Sequence, residues 1–581
     1  MLLPQKAIGL VGKKLNLTIL STRKIEIEVV GCPPTIVPID VKVKGRGKLS
    51  VRFKAEGLSY QPKLIKFKAT DIETGNVQIV EVISRVFGIK EFFTCLVQTS
   101  NIHYGWNPEP TEQYFRTSDD ELVLYKDEKM GNDAFVHALK LEKIFHKHGA
   151  PITWLIDDTI AHKASQEIKN WHWKYGDDYG ILPRSYFYHN SRNYNIDLSA
   201  NELTELIQLL RDNMQEIFRE TGYPCYTRIM GVDQWVGSIG TNFVEAAKNL
   251  GLEAIWGIGY DHLSCDTSMF HRGAPWDIYK SKEGNFRVPG TGTRLWIFQW
   301  TTRDILNTSY FSPNGATVFS TDADDISSNH IPAYQNDYYA RMLHEYKKNM
   351  PYNDVGIFLI HQEDHDSHIE VCNAVLEDFV DQTFDDNLFV TLEEAVAWLN
   401  LKYTPNEHPY QILEFEDPLT CHREMKQEAL AGRISARFAE HPEWGDGPNP
   451  RHLAYYGLDA MWIGRFPDRI PLIFYDYQHS EKYKFVENGQ FPAENLPRLK
   501  ILDETWSRAK KSRRLSLSIR SSKSFTNLPF ILWEPPIASL PKKCNINERS
   551  MGLTKCYKAG STMVIILKEV TRGNNFYEFE F

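Results

Sequence analysis

The sequence predicts an α/β chain: a parallel α/β barrel over its middle, from about Phe92 to about Leu401, flanked by β-rich segments. Three observations predict it. Strand-like apolar runs alternate with helical periodicity through the middle, which argues for right-handed βαβ crossovers and a parallel sheet or barrel. On either side that alternation is missing and short period-two strands take its place. The chain, at 581 residues, is also too long for one core, and about 150 residues per domain suggests three or four. The expected organisation is 1–90, an immunoglobulin-like β-sandwich; 91–403, the barrel; and 404–581, mixed to β-rich.

In the first segment, KIEIEVV, IVPIDVKVKG, KLSVRFKA, KLIKFKAT and VQIVEVIS each place apolar side chains on one face, punctuated by Gly and Pro. At Phe92 the pattern changes to FFTCLVQTS, an apolar run of the kind buried on both faces of a parallel sheet. Asp133 to His148 has helical spacing and Gly149 to stop it, and the strand PITWLI follows, ending in Asp157 and Asp158. From Ala200 to Thr221 the apolar residues Leu203, Leu206, Ile207, Leu210, Met214, Ile217 and Phe218 form one stripe. Ser199 and Glu202 make its capping box, and Gly222 with Pro224 closes it. The strands CYTRIMG, EAIWGIG, RLWIFQW, DVGIFLIH and NLFVTL then interleave with helices at Thr241–Leu250, Tyr338–Lys348, Ile369–Phe379 and Glu393–Leu399. Past Tyr403 the alternation stops, and LPFILWEPP, STMVIILKEV and NFYEFEF suggest a second sandwich.

Composition narrows the function classes. A net charge of −9 disfavours nucleic acid as a partner, and the basic run Arg508–Arg514 reads as a solvated loop. No apolar stretch approaches a membrane span of about 18 residues. The N-terminus lacks the basic start, long apolar core and cleavage site of a signal peptide, which leaves a cytoplasmic location, or a secreted or cell-surface one after removal of a leader. Eight scattered cysteines contain no CxxC pair and make no zinc cluster; Cys544 and Cys556 could bridge a C-terminal loop. Aromatic residues reach 13%, which suits either large cores or a cleft that stacks sugar rings.

In order along the middle segment come a helix ending Lys-His-Gly before Ala150–Ile156 and ELTELIQLLRDNMQEIFRETGYPCYTRIMG with Arg228, Met230 and Gly231. NFVEAAKNLGLEAIWGIGYDH, VGIFLIH ending in His361, and LFVTLEEAVAWL follow. This succession resembles the polysaccharide deacetylase family over roughly 300 residues. The resemblance implies a distorted (β/α)7 barrel, a carbohydrate-active hydrolase and a divalent, zinc-type metal. The chain departs from the family where the metal should sit. Gln98 and Thr99 stand where the family has Asp-Asp, and YHNSRN offers His189 but Asn193 where it has two histidines.

Chemistry in such folds sits at the C-terminal strand ends, and three readings of those ends stay open. In the first, His103, Asp158 and His189 rebuild a three-ligand metal site with an open position for water. In the second, no metal is used and paired carboxylates hydrolyse a glycosidic bond, drawn from Asp233, Glu363, Asp364 and Asp158. His361 serves in either as general acid or leaving-group stabiliser. Trp106, Trp235, Trp300, Arg228 and Asp261 are the expected substrate-binding residues. The third reading is a non-catalytic glycan-binding protein. All three make carbohydrate the partner.

Overall fold

The structure is a computed structural model. It describes residues 1–100, 113–116, 122–125, 139, 141–183, 188–189, 193–194, 199–232, 240–257, 278–282, 285–289, 293–298, 301–302, 321, 337–363, 369–407, 409, 411–415, 452–457, 460–463, 472–476, 483–486, 498–505, 513–522, 524–533, 539–547, 549–551, 555–559 and 562–581.

The N-terminal segment forms strands β1 (Lys6–Leu10), β2 (Lys14–Gly31), β3 (Ile36–Pro38), β4 (Lys42–Ala55), β5 (Ser59–Asp71) and β6 (Val77–Phe87), hydrogen-bonded in the order β1-β6-β5-β2-β4-β3. Among the described residues this is one six-stranded sheet, where the sequence had suggested two facing sheets. The period-two pattern explains its burial. Leu49, Val51, Phe53 and Ala55 of β4 point inward while Lys48, Ser50, Arg52 and Lys54 point out. The inward face joins the same apolar core as Trp154, Ile160 and Phe218 of the middle segment, so the sheet has a helical layer to cover it.

The middle segment builds a curled, mostly parallel sheet from β7 (Glu91–Ser100), β8 (Thr153–Ile156), β9 (Asp178–Ile181), β10 (Ile229–Gly231), β11 (Ala254–Trp256), β12 (Tyr279–Lys282), β13 (Asn285–Pro289), β14 (Trp296–Phe298), β15 (Val355–Glu363) and β16 (Leu388–Val390). Their order is β13-β12-β14-β11-β10-β9-β8-β7-β15, with β16 also on β7. Helices α1 (Asp158–Tyr175), α2 (Ala200–Glu220), α3 (Gly240–Asn249), α4 (Tyr338–Lys347), α5 (Ile369–Thr383) and α6 (Leu392–Lys402) fall between or after them. The capping box that Ser199 and Glu202 predict at the start of α2 is present, and Gly222 beyond its end has φ +82°.

Alternation sorts each strand into two cores. Phe93, Cys95, Val97, Leu155, Ile229, Trp256, Phe298, Ile357 and Leu359 share an inner cluster, while Leu96, Trp154, Ile156, Phe358 and Ile360 pack with the helices. Past β14, the Thr302 amide donates to the Leu359 carbonyl at 3.0 Å, and the Thr302 hydroxyl accepts from the Leu359 amide at 2.8 Å. The chain just past β14 therefore meets β15, from the far side of the strand order. At the other end of the strands, Leu392, Val396, Trp398 and Leu399 of α6 join Ile8, Leu10 and Phe87 in plugging the inner cluster.

A buried ionic network locks that closed end to the N-terminal sheet. Lys6 Nζ lies 2.9 Å from Asp178 and 3.3 Å from Glu394, and Arg85 Nη1 lies 2.9 Å from Glu394; all four side chains are buried. Burial alone would favour a protonated Asp178, but the Lys6 ammonium, His172 and the Thr391 hydroxyl together outweigh it and hold the carboxyl below its usual range.

Among the described C-terminal residues two five-stranded sheets share one core, Leu515, Leu517 and Phe579 from one meeting Phe530, Ile565 and Leu567 from the other. Cys544 and Cys556 lie in different sheets and are free thiols, which corrects the expected bridge; burial pushes both up to about 12.

Candidate active site

The plugged end and the opposite end of the curled sheet differ in what they offer. At the C-terminal strand ends β7 and β15 run parallel, with His361 opposite Val97 and Glu363 opposite Thr99. His361 follows Ile357 and Leu359 on the inner face, and Thr99 follows Cys95 and Val97, so both arrive on the inside at the mouth. His361 Nε2 and Thr99 Oγ1 share a hydrogen bond of 2.9 Å, and both residues are buried. The Trp256 ring packs against the imidazole with centroids 4.8 Å apart. Val97, Leu155, Leu359 and Phe298 form an apolar floor beneath. The His361 amide donates to the Thr321 carbonyl at 3.4 Å, fixing the backbone that carries the ring. The result is a titratable group oriented by a hydroxyl on a rigid strand, the arrangement general acid–base chemistry needs.

The second strand end resolves the two aspartates that close PITWLI. Asp157 is the N-cap of α1: its carboxylate accepts from the Ile160 amide at 2.9 Å, and the residue is fully buried. Its place two residues beyond Leu155 is the inward register. Asp158 is the first residue of α1 and accepts from Asn213 of α2 at 3.2 Å, so it faces the helical layer. Strand parity, read from Leu155 onward, places Asp157 rather than the expected Asp158 in the inward register.

Arg228 stands far from the mouth. It precedes β10, at the plugged end, where Nε lies 2.8 Å from Glu393 and Nη1 3.3 Å from Glu253. Burial works against its charge, but the two carboxylates outweigh that and raise its pKa further above the ordinary range. A guanidinium held this way fastens α6 to the strand starts, away from the mouth where a substrate contact was expected.

Glu363 ends β15 and His189 pairs with Asn193 in a two-stranded hairpin; their side chains lie outside the described residues. His103, Trp106, Asp233, Trp235, Asp261, Trp300 and Asp364 lie outside them altogether. Among the described residues no group of three or more His, Cys, Asp or Glu side chains is placed to hold a metal ion. His361 and Asp157 are fewer than the three or four nitrogen, sulfur or carboxylate ligands a zinc-type ion takes, and the expected ligand His103 lies outside the described residues. No helix among the described residues is long and apolar enough to cross a membrane.

No protein-family model matches the chain, and no curated protein matches it. Solved structures do. The chain is similar to a putative glycoside hydrolase/deacetylase from Parabacteroides distasonis, at 12% identity and a TM-score of 0.43 over 64% of this chain and 81% of that one. It is similar to a probable polysaccharide deacetylase from Pseudomonas aeruginosa, at 13% identity and a TM-score of 0.32 over 55% of this chain and 93% of that one. A third is a mutant of a CE4-family pseudoenzyme with restored enzymatic activity, at 11% identity and a TM-score of 0.23 over 55% and 82%.

Proposed function

We propose that this chain is a hydrolase acting on a polysaccharide or oligosaccharide, with His361 as the general acid–base residue. In this reading the curled sheet is a distorted seven-stranded barrel, β7, β8, β9, β10, β11, β14 and β15, closed where Thr302 meets Leu359. The observation that carries it is the buried His361–Thr99 pair at the C-terminal strand ends, 2.9 Å apart over an apolar floor. Burying an imidazole and a hydroxyl costs free energy unless they are bonded to each other, and packing alone would fill that position with a Leu or Val like the residues below it.

The roles follow from position. His361 passes a proton to the leaving group or takes one from the attacking water. Thr99 positions the ring. Carboxylate partners are Asp157 by its inward register, Glu363 by its register opposite Thr99, and Asp233 beyond β10. The proposal needs no metal among the described residues and routes no step through one.

The test is turnover on a panel of acetylated and unacetylated oligosaccharides, reading both acetate release and new reducing ends. The expected result is product from at least one substrate, reduced about 10²- to 10⁴-fold by His361→Ala with an unchanged circular dichroism spectrum. Acetate alone makes the reaction a deacetylation, and new reducing ends make it a glycosidic cleavage. Equal turnover in wild type and His361→Ala, or no product from any substrate, rejects the reading.

A further inference from the structure

Charge is divided unevenly along this chain. Residues 1–90 hold 16 Lys and Arg against 7 Asp and Glu, a net +9, so the remainder carries −18 of the overall −9. The fold concentrates that positive charge. On β4 the outward positions are Lys42, Lys44, Arg46, Lys48, Ser50, Arg52 and Lys54, all exposed. Alternate residues on a strand stand about 6.8 Å apart, so six cations form one row. Lys42, Arg52 and Lys54 are neutralised by Glu26, Asp40 and Glu56 at 2.8–2.9 Å. Lys44, Arg46 and Lys48 have no ion-pair partner among the described residues. Lysines on an edge strand are commonly a guard against aggregation. β3 pairs with β4 only at Phe53–Ala55, so Lys44, Arg46 and Lys48 do lie along an open edge, but a guard against aggregation does not call for a cavity at the end of the row.

The row also leads somewhere. Lys48 and Ser50 line a cavity of about 440 Å³ at the plugged end of the curled sheet, together with Asn16 and Thr18 of β2, Tyr226, Arg294 and the paired Arg228 and Glu253. Lys48 and Arg294 are exposed. Neither has an ion-pair partner among the described residues, so two free cations and several hydroxyl or amide groups converge on one concave space.

We infer that this face and its cavity bind an acidic glycan, a polysaccharide carrying carboxylates along its length. The inference adds to the proposed function a binding face at the plugged end, away from the mouth, and rests on that reading for the word glycan. Spaced cations match a linear polyanion, and the polar cavity lining suits hydroxyl groups between the charges. Single-stranded nucleic acid fits less well, because such sites stack bases on exposed aromatic rings. The large aromatic exposed on this sheet is Tyr60, whose hydroxyl is committed to Glu91 at 3.0 Å.

The test uses the full chain and a fluorescent oligogalacturonate, read by anisotropy at 50 and 300 mM NaCl. The expected result is binding that weakens at least 10-fold with salt and at least 10-fold in Lys44→Glu/Arg46→Glu/Lys48→Glu, whose melting temperature stays near wild type. A neutral malto-oligosaccharide of equal length should not bind. The cavity variant Lys48→Ala/Arg294→Ala, which inserts no opposite charge, should lose at least 3-fold. His361→Ala should bind as wild type does, so affinity without turnover rejects the mouth chemistry alone, and turnover without affinity rejects this inference alone. Equal binding by wild type and the triple variant overturns it. So does tighter binding of single-stranded DNA of matched charge, or of vesicles containing phosphatidylserine.

Discussion

Lys6→Met isolates the contact that fixes the N-terminal sheet to the plugged end of the curled sheet. Methionine keeps most of the stem volume and removes the ammonium. Asp178 then loses the cation 2.9 Å away while remaining fully buried. It keeps two weaker partners, the Thr391 hydroxyl and His172 Nδ1 at 3.3 Å. Glu394 loses the same ammonium at 3.3 Å but keeps Arg85 at 2.9 Å. Removing one partner of a buried pair costs about 3–5 kcal/mol, because the other charge is left uncompensated. The remaining partners place Lys6→Met near the lower end, about 3 kcal/mol. The assay is urea denaturation followed by near-ultraviolet circular dichroism, which reports the stack of Trp154 on β8 against Trp171 on α1. Because a chain with several sheets need not unfold in one step, the transition assigned to that signal is the one compared. Lys6→Met/Asp178→Asn should recover part of the loss, since the uncompensated charge is then gone. A loss below about 1 kcal/mol in Lys6→Met, or no recovery in the double variant, refutes the claim that this pair bears on stability.

Two further predictions follow. Thr99→Val removes the hydroxyl that orients His361 while keeping side-chain volume. It should lower kcat about 10-fold in whichever reaction depends on His361 and displace the corresponding limb of the pH–rate profile, whereas a purely structural role would leave the profile where it was. His146 is held by Glu142 at Nδ1, 2.6 Å, and by Asp177 at Nε2, 2.9 Å; burial pulls its pKa down, but the two carboxylates outweigh this and raise it. The stability this provides is fully present below the unfolded value of about 6.5 and is lost as pH rises through the raised folded value. The wild-type melting temperature should therefore fall more steeply above pH 6.5 than that of His146→Gln, and parallel curves would remove His146 as the cause.

The elements were legible where local pattern and tertiary environment agree. The stripe from Leu203 to Phe218 is one helix because its spacing, its Ser199–Glu202 box and its Gly222 stop all point the same way. The inner-face residues at the mouth were half legible. His361 stands out as a titratable group at the end of an apolar strand, and Thr99 because a hydroxyl occupies a slot where the resemblance expects a carboxylate. Asp157 was within reach of a parity count from Leu155. Arg228 was not. Only the fold brings Glu393, 165 residues later, to its guanidinium, and a sequence cannot say whether a residue beside a three-residue strand lies at its start or its end. The same holds for Lys6 and Glu394, whose partnership spans nearly the whole α/β segment.

That division has a physical cause, and it bears on where function is carried. Ionic groups at the plugged end, Lys6, Arg85, Asp178, Arg228, Glu393 and Glu394, are buried and paired with one another across distant parts of the chain. These groups pair with one another, so that end holds the N-terminal sheet, the strands and α6 in one frame. At the mouth the described pair His361 and Thr99 shares a hydrogen bond of 2.9 Å, with the buried carboxylate of Asp157 in the inward register on the neighbouring strand end. The frame at one end therefore permits the reactive group at the other. Neutralising the plugged end should cost stability before it costs turnover, and altering His361 or Thr99 should do the reverse.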